Sequence, residues 1–296
     1  MVAGIWAWAA EKQEFTVNEV SFKMVFVEGG TFTMGATAEQ GTDAGSNESP
    51  THEVTLSSFG IGETPVTQEL WLAVMGSNPS RLTGNLKRPV DFVSWNDCQE
   101  FIVKLNELTG KTFRLPTEAE WEFAARGGVE SQGYKYAGSN NVDDVAWHWG
   151  NIPSTTAGAP NFGSQPVATK LPNELGIYDM SGNMLEWCQD WYGNYSSQAQ
   201  TNPTGQETGF SRVLRGGGWA REAACSRVSY RYMWKPVDGF ADVGMRLALS
   251  DMDDTAIEDV TIDKPKSGIR YNLMGQPVGK DYHGVVIEDG VKFIAH

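Results

Sequence analysis

Cysteine is scarce: Cys98, Cys188 and Cys225 are the chain's complete set. Three thiols are too few for a disulfide-stapled scaffold, so the fold must rest on an apolar core. No Lys/Arg run occurs, and 37 acidic against 23 basic residues give a formal net charge of -14. A phosphate-binding surface needs a basic stripe, so nucleic acid is excluded as a partner. No apolar run is long enough to span a bilayer, so no transmembrane segment is expected. His52 and His148 form no H-x₃-H pair, and zinc spacing, G-x-S-x-G and a Gly-rich phosphate loop are all missing.

Glycine and tryptophan are abundant instead, at 33 and 11 of 296 residues. That mixture suits many turns holding large aromatic plates rather than long helices. A hydrophobic fraction of 40% is enough for a sizeable core. The opening ten residues, Met1 to Ala10, are apolar and small, and Ala7-Trp8-Ala9 fits a small-x-small cleavage site. They read as the remnant of a secretory signal lacking its basic start, which implies export to the periplasm, the cell surface or the medium. An ordinary N-terminal strand is the plainer alternative.

Alternation at Phe22, Met24 and Phe26, then Gly29-Gly30, then Phe32 and Met34 predicts a hairpin. Val54–Leu56 and Phe59–Ile61 predict further short strands. Thr67 and Ser94 are placed to cap helices that Gly76 and Gly110 end. Thr117 and Glu120 form a T-x-x-E capping box ahead of Trp121, Ala124 and Ala125. After Gly127 the chain reads mostly as loop, with strands at 212–215 and 243–249. Short strands, few helices and long loops argue an α+β domain over 21–250. An acidic linker follows at 251–266, then a small C-terminal β module at 267–296 with an Asp289-Gly290 turn. That tail resembles the short β modules carried by secreted bacterial proteins.

Several segments then match one family in order. They are Phe26-Val27-Glu28-Gly29-Gly30-Thr31-Phe32-Thr33-Met34-Gly35, Arg114-Leu115-Pro116-Thr117-Glu118-Ala119-Glu120-Trp121, Gly176-Ile177-Tyr178-Asp179-Met180-Ser181-Gly182-Asn183-Met184-Leu185-Glu186-Trp187, Arg215-Gly216-Gly217-Gly218-Trp219 and Gly244-Met245-Arg246-Leu247. The chain resembles the formylglycine-generating enzymes, or sulfatase-modifying factors, over roughly residues 22–250. The resemblance implies a C-type-lectin-like core with little regular secondary structure. It also implies a structural Ca²⁺ on the Asp179 and Glu186 carboxylates with the carbonyls of Gly182 and Met184, an all-oxygen shell suited to a hard cation. Spacing alone favours Asp179 capping a turn and Glu186 pairing with an arginine; the family match is what points to calcium.

Enzymes of this family oxidise a substrate cysteine to formylglycine with O₂ on Cu(I), held by two thiolates spaced C-x₄-C after the Gly-Gly-Gly-Trp motif. Here the ungapped positions are Arg221 and Ser226, and only Cys225 stands close. Copper is therefore not expected, and Cys225, the one catalytic candidate, reads more simply as a small buried hydrophobe. Iron-dependent relatives need a histidine cluster that is missing here. What remains is a surface rich in arginine and aromatics, with Trp219, Arg221, Ser226, Tyr230, Arg231 and Trp234 as candidate ligand-binding residues. The expectation is a catalytically silent module binding a peptide, glycan or protein. An active sulfatase-cysteine oxidase is the first alternative. The second is a variable ligand-binding protein of a diversity-generating retroelement, a class that shares this fold.

Overall fold

The computed structural model describes residues 11–250 and, beyond them, strands within 270–295. The expected signal remnant and the 251–266 linker lie outside the described residues. The chain divides into two compact units, Met1–Met252 and Asp253–His296.

The first unit begins with strands β1 (Lys12–Val17), β2 (Val20–Val27), β3 (Gly30–Met34), β4 (His52–Leu56) and β5 (Phe59–Gly62). Helices α1 (Gln68–Met75) and α2 (Trp95–Thr109), the short β6 (Phe113–Arg114), α3 (Glu118–Ala125) and the one-turn α4 (Val142–Val145) follow. The remainder is β7 (Leu185–Trp191), β8 (Gln200–Thr201), β9 (Arg212–Arg215), β10 (Arg231–Trp234), β11 (Val243–Met245) and β12 (Ala248–Leu249). The strands form three sheets, ordered β1-β2-β5-β12-β6, β10-β9-β7-β11 and β3-β4-β8. In the second unit β13 (Arg270–Asn272), β14 (Pro277–Val278), β15 (Gly284–Glu288) and β16 (Val291–Ala295) form a sheet of their own, ordered β14-β13-β15-β16.

The caps set the helix boundaries. Thr67 Oγ1 accepts from the Leu70 N–H, and Gly76 closes α1 in the left-handed conformation. Ser94 and Asp97 form a capping box at α2, and Gly110 ends it at φ 68°. At α3 the Thr117 hydroxyl accepts from the Glu120 N–H at 3.1 Å, while the Glu120 carboxylate accepts from the Thr117 N–H at 2.9 Å. Two apolar clusters result. One packs Trp71, Phe101, Leu105 and Phe113 around α1 and α2. The other gathers Phe59, Trp121, Phe123, Met180 and Val213 around α3.

Helix α3 is buried on every side, and it carries Glu118, Glu120 and Glu122 into that environment. Buried carboxylates need cations. Arg231 grips Glu118 through Nε at 2.5 Å and Nη2 at 2.8 Å. Arg215, fully buried, pairs with Glu122. Arg126 also reaches Glu122, at 2.9 Å, and Arg114 holds Glu120 with two bonds of 2.6 and 2.7 Å. Arg227 holds Glu48 the same way, with two bonds of 2.7 Å. The third helix is thereby tied to the closing strands β9 and β10.

Strand pairing corrects the expected hairpin. β2 pairs with β1 and β5, whereas β3 pairs with β4 in another sheet. Alternation identifies the faces of a strand but not its partner. The stretch at 243–249 likewise splits: β11 runs parallel to β7, and β12 joins β5 and β6. Strand β7, which the run after Gly127 read as loop, is central to its sheet.

Replacing Thr117 by alanine removes the α3 cap, and should cost about 1 kcal/mol of unfolding free energy. Urea denaturation checks this, and an unchanged midpoint would refute the cap's role.

Candidate functional site

The segment after Gly216-Gly217-Gly218 is shaped by how its residues are spent. Gly217, at φ 70°, lies so close to the Cys225 carbonyl that an added Cβ would stand 2.5 Å from its oxygen. The chain therefore folds back on itself across Ala223–Ser226, a short 3₁₀ turn. Arg215 then donates to the Ser229 and Tyr230 carbonyls at 2.7 Å each, pinning the return leg from within.

Three of the six expected ligand-binding residues are consequently buried. Trp219 donates from Nε1 to the Ala241 carbonyl at 2.9 Å and packs edge-on against Phe162. Ser226 is fully enclosed. Arg231 is committed to Glu118, to the Asn47 carbonyl and to the faces of Tyr192 and Tyr195. Their burial removes them from a surface groove and corrects that part of the expectation.

The other three, Arg221, Tyr230 and Trp234, remain partly accessible and lie together with Tyr232. Around β10 alternate side chains share a face, so Tyr230, Tyr232 and Trp234 form a ladder. Their near-parallel ring centroids are 6.5 and 5.8 Å apart. Phe240 closes the far end edge-on at 4.7 Å, and Trp234 Nε1 donates to Asp238 at 3.1 Å. The Arg221 guanidinium lies 4.9 Å from the Tyr232 ring centroid and donates from Nε to Asp242 at 2.7 Å. Burial opposes its charge, but Asp242 outweighs burial and raises its pKa. Arg221 is therefore a paired cation stacked on the ladder. Neither Asp242 nor Phe240 was singled out from the sequence. The Tyr-x-Tyr-x-Trp alternation was the available signal for a strand face.

Cys225 is half-buried at the Tyr230 end of the ladder. Burial, and then the Cys225 thiol, push the Tyr230 hydroxyl above its ordinary pKa. Cys98 and Cys188 are buried free thiols pushed well up by desolvation, which makes them inert as ligands or nucleophiles.

Both carboxylates expected to hold calcium have hydrogen-bond partners within the protein. Glu186 Oε2 accepts from Trp121 Nε1 at 2.7 Å and Arg246 Nε at 2.9 Å, and its Oε1 accepts from Arg246 Nη2 at 2.9 Å. Asp179 accepts from the Ala168 N–H at 2.8 Å and from Asn183 Nδ2 at 3.2 Å. The Gly182 carbonyl accepts from the Met184 N–H at 2.7 Å. Among the described residues no group of three or more acidic, His or Cys side chains gathers to hold a metal. A cation beside Glu186 would stand next to the fixed Arg246 guanidinium. Glu186 therefore does not fit the shell expected of it with Asp179, Gly182 and Met184, because its carboxylate is already paired with Arg246.

A small, loop-dominated, sheet-rich domain with these closing strands is the formylglycine-generating-enzyme type of C-type-lectin-like fold. The chain belongs to the sulfatase-modifying factor enzyme 1-like domain family, whose model matches residues 10–251. It is 34% identical to the chaperone protein LppX of Paenibacillus barcinonensis over 78% of this chain and 90% of the relative. It is 31% identical to the formylglycine-generating enzyme of Streptomyces coelicolor over 76% of this chain and 88% of that one. Among solved structures, Treponema denticola variable protein 1 is 32% identical, with a TM-score of 0.71 over 81% of this chain and 99% of that one. No helix among the described residues is long and apolar enough to cross a membrane.

Two measurements test this electrostatic arrangement. Excess chelator should leave the melting temperature unchanged, while Glu186→Gln, by leaving Arg246 buried and unpaired, should cost about 3–5 kcal/mol. A chelator-induced fall in melting temperature would restore the metal. Asp179 supplies a pH signature, because burial raises it from 3.8 to about 6 against the Ala168 N–H and Arg246. The native state then holds that proton more tightly than the unfolded chain does. Its contribution is fully present below about pH 4 and is lost as pH rises to about 6. Stability of wild type relative to Asp179→Asn should fall by up to about 3 kcal/mol across that window in urea titrations. A flat difference would show that Asp179 is not so buried.

Proposed function

We propose that this protein is a catalytically silent recognition module of its family, binding a ligand on the ladder Tyr230, Tyr232 and Trp234 with Arg221 at its side. The observation that carries this reading is the pairing at Arg221. The position matching the family's first thiolate holds a guanidinium fixed to Asp242, and the position matching the second holds the enclosed Ser226. Linear Cu(I) coordination needs two thiolates, and Cys225 stands alone with a tyrosine hydroxyl beside it. Stacked, partly exposed rings offer flat apolar contact, and Arg221, Asp238 and Asp242 supply hydrogen-bonding flanks. Because Asp242 neutralises Arg221, the surface favours a weakly charged flat partner over an anion, and the face of a pyranose ring suits it best.

A glycan and peptide array with wild type, Tyr232→Ala and Trp234→Ala tests the site. Either substitution should weaken binding of a captured ligand about tenfold, the cost of losing one aromatic contact in a recognition hot spot. Full binding by both variants would move the site elsewhere. The same preparation, supplied with copper, should leave a Cys-x-Pro-x-Arg peptide unconverted. Mass spectrometric detection of the aldehyde would reinstate the oxidase and make Cys225 its first suspect.

The likeness to Treponema denticola variable protein 1 favours a second reading, that the ladder is a variable ligand surface. Sequencing the gene across many cells of one population tests it. Variation concentrated at the codons for Arg221, Tyr230, Tyr232 and Trp234 supports it, and uniform conservation of those codons removes it.

A further inference from the structure

Behind β10, on the face opposite the ladder, Arg231 helps to line a cavity of about 100 Å³ between the end of β7, strand β4 and the first turn of α3. Asp190 forms part of its wall. This carboxylate is only 4% exposed, and Oδ2 accepts one hydrogen bond, from the Glu118 N–H at 2.9 Å. Among the described residues it has no ion-pair partner. Neither nearby guanidinium forms an ion pair with it. Arg231 is spent on Glu118 and the Asn47 carbonyl. Arg212 donates to the Gln189 carbonyl and is held between Trp95 and Trp191.

A buried carboxylate with one neutral donor is costly unless something else meets it. The backbone has been cut back to leave room there. Gly205, at φ 77°, would place an added Cβ 2.7 Å from Asp190 Cβ and 3.0 Å from Oδ1. Glu118 and Arg231 cancel one another, so Asp190 is the carboxyl of the lining left without a cationic partner among the described residues. His52, Asn194, Tyr195 and the exposed Ser196, Gln200 and Gln206 are its other polar lining residues. Side-chain oxygens at the mouth are of the kind that accept from N–H donors. A space of this size holds about three waters, or an ammonium on a short carbon stem. Asp190 is not part of any three-carboxylate or histidine cluster that a divalent metal would require.

We propose that this cavity is a binding site for a primary ammonium group, with Asp190 as its counter-ion. The group can come from a free alkylamine or from the tip of a lysine side chain, since the recognising chemistry is the same. Electrostatics adds a signature to the geometry. Burial, followed by the charge of Glu118, pushes Asp190 up to about 8, with Glu120 adding and the Glu118 N–H and Arg231 opposing. His52 from β4 and Tyr195 also face the cavity as titratable groups. The empty site is thus protonated at neutral pH and gives up that proton when a cation enters. Affinity then rises about tenfold per pH unit up to about pH 8 and levels off above it.

The test uses the full chain, calorimetric titration with propylammonium chloride, and sodium chloride at equal ionic strength as the comparison. Saturable binding is expected at about pH 9. It should be about a hundredfold weaker at about pH 6, and about tenfold or more weaker in Asp190→Asn, an isosteric change that removes only the charge. Repeating the wild-type titration near pH 7 in two buffers of different ionisation enthalpy should show about one proton released, a readout that does not depend on the variant folding. N-acetyl-lysine methylamide binding more tightly than propylammonium identifies a lysine side chain as the natural source, and the reverse order a free amine. The proposal is overturned if neither amine binds saturably at about pH 9, if sodium competes equally, or if no proton is released. A folded Asp190→Asn that binds as well as wild type overturns it too.

Discussion

Everything in the first unit leans on carboxylates buried along α3 and the arginines sent to meet them. A helix enclosed on all sides cannot leave Glu118 and Glu122 uncompensated, so the chain must bring Arg231 and Arg215 inward from its last third. Buried ion pairs are poor sources of net stability, but breaking one side leaves a stranded charge at a cost of about 3–5 kcal/mol. They therefore act as registry devices. Each pair accepts only the arrangement in which β9 and β10 are docked on α3. Burial pushes the Glu118 carboxyl up, yet Arg231 and Arg215 hold it below its ordinary value, so the lattice remains ionised at neutral pH. The contact joins residues more than a hundred positions apart, so the domain closes only once most of the chain is in place.

That dependence on distant partners marks what the sequence could reveal. Thr67, Ser94 and Thr117 announced their helices because a cap is a local event, settled within four residues. The family motifs were equally legible, being continuous strings. Strand partners were not, because the alternation at Phe22–Met34 specifies faces and leaves pairing to tertiary contacts. β7 was hidden for a related reason. Its Glu186 and Asp190 look like surface residues until Arg246 and the Glu118 N–H are placed beside them.

The candidate site was half legible on the same grounds. Arg221, Tyr230 and Trp234 could be nominated by composition and by position after Gly-Gly-Gly-Trp. Trp219, Ser226 and Arg231 carry the same labels in one dimension but turn inward, and only three dimensions separate the two sets. The carboxylates at 179 and 186 show the limit most sharply. Their spacing favours a turn cap and an arginine clamp, and only the family likeness points to a calcium loop. The arginine that pairs with Glu186 is Arg246, sixty residues away in sequence and supplied by the closing Gly-x-Arg motif.

β10 sits at the edge of its sheet, with Arg231 on one face and Tyr232 and Trp234 on the other. Buried charge is thus carried by Arg231, while Tyr232 and Trp234 combine a partly exposed surface with packing against the α1–α2 cluster. A mutation at Tyr232 or Trp234 alters what the domain presents without disturbing the buried charges beneath it. A mutation at Arg231 does the reverse. A lineage carrying this strand can revise its recognition surface at Tyr232 and Trp234 while Arg231 keeps the strand docked on α3.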